Sequence, residues 1–133
     1  MLATLIMFLS INAVRISQGL QPVHWDPELA GYAHNHALVM DEADALFHSS
    51  DLSTLLPGRL WLGENVGICH GCTDVPLQAY LDSPSHRAIV LSPRATHFGT
   101  ANVDGHDVQI FAQDEDAFTL PRYAVLYEEG RLP

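Results

Sequence analysis

The sequence predicts an α+β domain in which helices are layered on a small sheet. Three observations predict it. Helix-start signals and apolar residues at three- and four-residue steps fill the first two thirds of the chain. The period then changes to two across residues 97–103 and 107–112. Asp104-Gly105, between those two segments, is a hairpin turn signal. The chain is 133 residues long, 47% apolar and 17% charged, which suits one globular domain with a single core.

The elements follow in order. Met1–Leu9 is the most apolar stretch and has two readings: the remnant of a secretory leader, or a first helix. No Lys or Arg precedes it and no small-x-small cleavage site follows, so the helix is preferred. Leu2, Leu5, Ile6, Leu9, Ala13 and Ile16 line one face of that helix. Gly19 suits the position just past its end. Asp26-Pro27-Glu28 starts a second helix, with Asp as N-cap, Pro at the first helical position and Glu in the first turn. Its stripe of Leu29, Ala33, His36, Ala37 and Met40 runs to about Asp44. Pro57-Gly58 breaks the chain, Leu60–Leu62 is expected to form a short turn of helix, and 66–68 a short strand. Asp74 is expected to N-cap a helix through Leu77, Tyr80 and Leu81, and Ser83-Pro84-Ser85 to start another over 86–91.

Charge excludes some partners. Six basic against sixteen acidic residues leave a net charge of −10. Such a chain repels phosphate backbones, so no nucleic-acid partner is expected. No run of about 18 apolar residues is present, so no integral membrane span is expected either. Two cysteines are too few for a disulfide-built miniprotein.

Candidate chemistry rests on the histidines. His48 follows Phe47 after the long helix, Glu64 sits in Gly63-Glu64-Asn65, and His86 sits in Ser83-Pro84-Ser85-His86-Arg87. Imidazoles and a carboxylate suit a borderline cation such as zinc, and also general acid–base work. Their spacing matches no local metal motif, so three separate polar residues is the competing reading. His34 and His36 are two apart on a helix, point about 200° from each other, and cannot share a metal. His36 is expected as a hydrogen-bonded core residue and His34 as solvent-facing. His24, His97 and His106 read as isolated polar residues. Cys69-His70-Gly71-Cys72 admits a local disulfide, free thiols, or redox and metal chemistry, with the disulfide preferred. Ser49, Ser50 and Ser53 read as loop and cap residues rather than nucleophiles.

Taken together, the ordered segments resemble the CAP superfamily of cysteine-rich secretory proteins, antigen 5 and pathogenesis-related proteins, in its bacterial SCP-like extracellular branch. The resemblance runs from Ile11-Asn12-Ala13-Val14-Arg15 through Trp25-Asp26-Pro27-Glu28-Leu29-Ala30, Phe47-His48-Ser49 and Gly63-Glu64-Asn65-Val66-Gly67. It continues through Ala79-Tyr80-Leu81-Asp82-Ser83-Pro84-Ser85-His86-Arg87 to His97-Phe98-Gly99-Thr100-Ala101 and Val108-Gln109-Ile110-Phe111. The G-E-N and S-P-x-H-R segments in this order carry most of its weight. Ser85, Ile89 and Tyr80 stand where the family commonly has Gly, Asn and Trp.

The resemblance implies an α-β-α sandwich with a small three-stranded antiparallel sheet between helices. It implies one domain over residues 1–113, with 114–133 as a C-terminal extension, and a secreted or extracellular location. It implies a central cavity lined by His48, Glu64 and His86, with Asp82 near the place of a second acid, and a divalent metal (zinc or magnesium) held by His48 and His86. The function expected is binding of a small ligand: a lipid, a peptide or a cell-wall fragment. The alternatives are a metal-assisted peptidase with Glu64 as general base, and an interaction protein with a vestigial pocket. The binding module is preferred, because a hydrolase also needs an oxyanion stabiliser and the sequence shows none.

Overall fold

The structure is a computed structural model and describes residues 2–72 and 75–114. Helix α1 (Leu2–Ser17) forms as expected. Gly19 takes φ +76°, and N–H groups of Gly19 and Leu20 donate to the carbonyls of Ile16 (3.0 Å) and Arg15 (2.9 Å). Those paired bonds close the last turn, and the left-handed residue they require favours glycine. The direction of the helix departs from what its pattern suggests. Leu2, Leu5, Ile6, Leu9, Ala13 and Ile16 face solvent, whereas Met7, Ile11 and Arg15 are buried. Spacing identifies a face but not the side on which the core lies.

Helix α2 (Pro27–Ala43) begins where Asp26 takes an extended conformation and its side chain accepts from the N–H groups of Glu28 and Leu29. It ends at Asp44, in the left-handed region at φ 47°. A four-residue helix, α3 (Leu52–Leu55), follows without a sequence signal. Helix α4 (Leu77–Leu81) and helix α5 (Pro84–Val90) lie near the expected places, and the proposed cap Asp74 lies outside the described residues.

The sheet corrects the expected three antiparallel strands. It has four, in the order β1-β3-β4-β2, and it is mixed. Strand β1 (His24–Trp25) runs parallel to β3 (His97–Val103), with His24 opposite His97. Strand β4 (His106–Gln113) pairs antiparallel with both β3 and β2 (Trp61–Ile68). Two residues are too few to show a period of two, which is why β1 is silent in the sequence. It is fixed by the N–H groups of His24 and Asp26, which donate to the carbonyls of Thr96 and Phe98 (both 2.8 Å). The short helix expected over Leu60–Leu62 is also corrected. Trp61 and Leu62 open β2, opposite Gln113 and Ala112. The Asp104-Gly105 hairpin forms as read, with φ of 51° and 87°, the positive pair a two-residue turn of this kind needs.

Helices cover both sheet faces. Leu29, Ala33, Ala37 and Met40 of α2 pack on Val66, Val108, Ile110 and Ala112. Met7, Ile11, Tyr80 and Val90 pack with Phe98 and Phe111 on the other side. At Gly99 the α2 backbone comes so close to β3 that a Cβ would run into Leu29 and Ala30 main-chain atoms. Glycine here sets the spacing between the layers.

Candidate functional site around His48 and Glu64

Strand β2 is the sheet edge, and its alternation sends neighbouring side chains to opposite faces. Glu64 points to the α2 side and Asn65 to the α5 side. The Glu64 side chain is only 7% exposed. Its Oε1 accepts from His48 Nδ1–H (2.8 Å) and from the Ser49 backbone N–H (2.8 Å), and Oε2 accepts from the Ser49 hydroxyl (2.5 Å). A carboxylate can only accept, so it fixes the His48 tautomer with Nε2 as the open acceptor. Asn65 donates through Nδ2 to the His86 carbonyl (3.2 Å). Consecutive residues of one edge strand therefore anchor the two histidine segments from opposite sides. Gly63 completes the motif by lying against Trp61 and Ile89, which leave no room for a Cβ.

His86 is half-buried. Its Nδ1 is 2.7 Å from the Ser83 hydroxyl, and its ring lies 5.4 Å from that of Tyr80. Among the described residues, Nε2 of neither His48 nor His86 has a hydrogen-bond partner. Asp82 is exposed and accepts from the Gln78 side chain (2.7 Å). Arg87 faces solvent and donates to the Leu81 carbonyl (3.1 Å). His48, Glu64 and His86 do not offer three ligand atoms within 4.8 Å of one another.

Beside His48 opens a hollow of about 410 Å³. Tyr32, Val39, Phe47, Leu52 and Leu55 form apolar walls, and Asn35, His36, His48 and Ser49 are polar points in it. His36 is therefore not a core residue: it is half-buried in this wall, with Nε2 2.6 Å from the Phe47 carbonyl. A signal for it stands in the sequence. Tyr32, Asn35, His36 and Val39 recur at helical spacing beside the buried Ala33, Ala37 and Met40 stripe. Ser49, taken as a loop residue, is a main partner of Glu64. Its hydroxyl meets a carboxylate rather than an imidazole, so it forms no nucleophile–base pair.

A second cluster was not anticipated. Asp26, His97 and Asp114 place three ligand atoms within 4.8 Å of one another, a spacing that could hold a metal ion. Arg59 already stands among them. Its Nη2 donates to Asp26 (2.8 Å) and its Nη1 to Asp114 (2.7 Å). A guanidinium so placed supplies the positive charge that the two carboxylates need. Burial alone would raise the Asp26 pKa, but the Arg59 hydrogen bond and the N–H groups of Leu29 and Glu28 hold it below the ordinary carboxylate value. Burial likewise acts to lower the Arg59 pKa, and bonds to Asp26 and Asp114 outweigh it and raise it. The members lie far apart in the chain, and each has a bland local role, so nothing in the sequence groups them.

Elsewhere His34 is exposed and His106 is buried, with Nδ1 3.4 Å from Asp41. The sulfurs of Cys69 and Cys72 are joined, their Cα atoms 5.4 Å apart. The turn lies on the β3–β4 hairpin, where Cys69 N–H donates to the Gly105 carbonyl (2.9 Å).

The profile of the CAP, or cysteine-rich secretory protein, family matches residues 9–114. The chain belongs to the CAP family. An extracellular protein of Bacillus anthracis that contains an SCP domain superposes on this CAP chain with a TM-score of 0.75 at 26% identity, over 84% of this chain and 40% of that one. A cysteine-rich secretory protein of Staphylococcus aureus gives 0.71 at 21%, over 84% and 38%. An outer surface protein of Borrelia burgdorferi gives 0.69 at 17%, over 83% and 91%. The latter two likenesses establish the shared fold alone. In sequence, an uncharacterized membrane protein of Bacillus subtilis, YlbC, is 28% identical over 96 residues, 66% of this chain and 28% of that protein. The CAP chain thus spans less than half of the first two structures and of YlbC. None of its described helices is long and apolar enough to cross a membrane, and the expected extension over 114–133 lies, beyond Asp114, outside the described residues.

Proposed function

We propose that residues 1–113 form an extracellular CAP binding module that takes a small ligand into the hollow beside His48. The observation that carries this reading is the hollow itself. Its volume of about 410 Å³ lies in the range of small-molecule sites, and apolar walls with a few polar points are their usual chemistry. The net charge of −10 and Asp51 on the lining favour a neutral or cationic amphipathic ligand, such as a short peptide, a lipid or a cell-wall fragment. The SCP-domain relative of Bacillus anthracis is extracellular, which supports the location. Titrating isotope-labelled protein with a muropeptide and with a lysolipid tests this. Amide shifts concentrated on Tyr32, Phe47 and Leu52 are expected with one of them, and shifts absent from these positions with both would reject the hollow as the site.

Next to the hollow, whose lining includes His48 but not His86, we propose a zinc site of modest affinity, with His48 and His86 as ligands across the edge of β2 and water completing the shell. Both rings have Nδ1 engaged and Nε2 open. Glu64 acts behind His48, as the carboxylate that orients a metal-binding imidazole. Asp82, four residues before His86 and bonded to Gln78, is proposed as a further acidic group for that site. Two imidazoles suit zinc better than magnesium, which prefers oxygen ligands. Bound zinc would supply a Lewis-acidic contact for a ligand carbonyl or phosphate. The Cys69–Cys72 bond serves the hairpin rather than this chemistry. Calorimetry on chelator-stripped protein should show one zinc site, at least tenfold weaker in His48→Ala and in His86→Ala, and weaker by about 10–100-fold in Glu64→Gln. Affinity should fall as pH is lowered, because protons compete with the metal for the imidazole nitrogens. Equal affinity in parent and both histidine variants removes the metal from the reading.

A further inference from the structure

The hollow beside His48 carries an unbalanced negative charge. Among the described residues, Asp51 is the only carboxylate on its lining, and no arginine stands there. The chain has no lysine, and the described arginines are all engaged elsewhere. Arg15 and Arg87 donate to main-chain carbonyls, Arg59 to Asp26 and Asp114, and Arg94 to Gln113 and the Leu60 carbonyl. Asp51 is exposed and precedes α3, yet its side chain makes no cap bond to that helix. The negative field extends beyond it. Helix α2, whose Val39 lines the hollow, ends in Asp41, Glu42 and Asp44 with no basic residue in its last turn. The helix dipole already makes that end negative. Two lining residues, Tyr32 and Phe47, are aromatic. Phe47 is 40% exposed although His36 packs edge-on with it, ring centroids 5.3 Å apart and planes at 85°. An aromatic face attracts cations, because the ring quadrupole is negative there.

We infer that the hollow takes an amphipathic cation: a single-chain alkylammonium whose head meets Asp51 and the rings of Tyr32 and Phe47, and whose chain lies along Val39, Leu52 and Leu55. This rests on the reading of the hollow as the ligand site and narrows it to one class. An anionic amphiphile would bring like charge to Asp51 and to the negative end of α2, with no base to receive it. A neutral one would gain the apolar walls alone, of which Val39 and Leu55 are each half exposed. The cation gains the walls, the ring faces and a carboxylate that no base of the described chain neutralises. The net charge of −10 also draws it towards the protein. Quaternary ammonium groups are recognised by aromatic rings in this way.

Three chain-matched probes, titrated below their micelle concentrations into the isotope-labelled full chain, test this: octyltrimethylammonium, octyl glucoside and octyl sulfate. Octyltrimethylammonium should shift the amides of Tyr32, Phe47 and Leu52 and bind about tenfold more tightly than octyl glucoside. Octyl sulfate should bind weakest of the three. Asp51→Asn should weaken the ammonium probe about fivefold and leave the glucoside as it was. Phe47→Leu should weaken the ammonium probe more than the glucoside. The control Asp104→Asn removes a charge from the hairpin turn, off the lining, and should change neither. Equal affinity for the ammonium and glucoside probes at these amides overturns the cation while leaving the hollow as a ligand site. A preference for the ammonium probe that survives both substitutions overturns the assignment to Asp51 and Phe47. Shifts absent from these amides with all three probes overturn the hollow itself, and the inference with it.

Discussion

Replacing Arg15 with methionine should cost on the order of 5 kcal/mol of stability, close to the whole margin of a small domain. The guanidinium is fully buried. Nε donates to the Gln21 carbonyl (3.0 Å), Nη1 to those of Val90 (2.8 Å) and Ser92 (2.9 Å), and Nη2 to that of Ala95 (3.2 Å). One side chain thereby ties the end of α1 to the loop after α1 and to the loop between α5 and β3. Burial lowers its pKa from the ordinary guanidinium value, but a guanidinium stays charged at neutral pH. Among the described residues no carboxylate pairs with it; the carbonyl dipoles take that part. Methionine fills a similar volume and leaves the carbonyls of Gln21, Val90 and Ala95 without a donor, while that of Ser92 keeps the Ala95 N–H; each unmet carbonyl costs about 1–3 kcal/mol where water cannot replace it. Lysine, with a single nitrogen, cannot span the same fork, so Arg15→Lys should lose roughly half as much. Urea unfolding at constant slope measures both. A methionine variant within 1 kcal/mol of the parent would show that water reaches those carbonyls and that the clamp is unnecessary.

Arg15 also marks the limit of what the sequence shows. The punctuation was legible because it is local. Asp26-Pro27 opened α2, Gly19 closed α1, and Asp104-Gly105 turned the hairpin, each through the φ or the side-chain acceptor that its own residue supplies. The orientation of α1 was not legible. Its more apolar line faces out, and its inner line contains an arginine whose partners come from residues 21 to 95. Leu60–Leu62 misled for a related reason. Trp61 and Leu62 are strand residues because Gln113 and Ala112 stand opposite, which is information from the far end of the domain. The chemistry of His48 and Glu64 admitted a joint site, but only the resemblance favoured it, since nothing in their spacing demands it. Once β2 is an edge strand, the adjacency of Glu64 and Asn65 explains why both histidine segments meet it. The Arg59 cluster had no such prompt.

That cluster gives the second large effect. Asp26 has two duties, one for each oxygen. Oδ1 caps α2 through the N–H groups of Glu28 (2.9 Å) and Leu29 (3.3 Å), and Oδ2 takes the Arg59 hydrogen bond at 2.8 Å. Losing a cap costs about 1 kcal/mol. Losing a hydrogen bond to a charged partner costs about 1.5–3 kcal/mol, and the Arg59 side chain is only 11% exposed. Asp26→Ala should therefore lose about 3 kcal/mol at pH 7. Asp26→Asn keeps an acceptor for the cap and gives up the ion pair, so its loss should be about 2 kcal/mol. The two variants separate the duties, and pH separates them again. The folded pKa of Asp26 is depressed, so its ionic contribution is fully present above the unfolded value near 4 and is lost as pH falls through the lower folded value. The gap between parent and Asp26→Asn should hold steady from pH 7 down to about 4 and close below that. His97, with Nδ1 3.5 Å from Asp114, is present in both proteins, so its contribution largely cancels from the difference. Urea midpoints taken at half-unit steps from pH 7 to 2.5 would trace the gap. A gap that persists undiminished at the acid end would mean that Asp26 holds Arg59 by geometry rather than by charge.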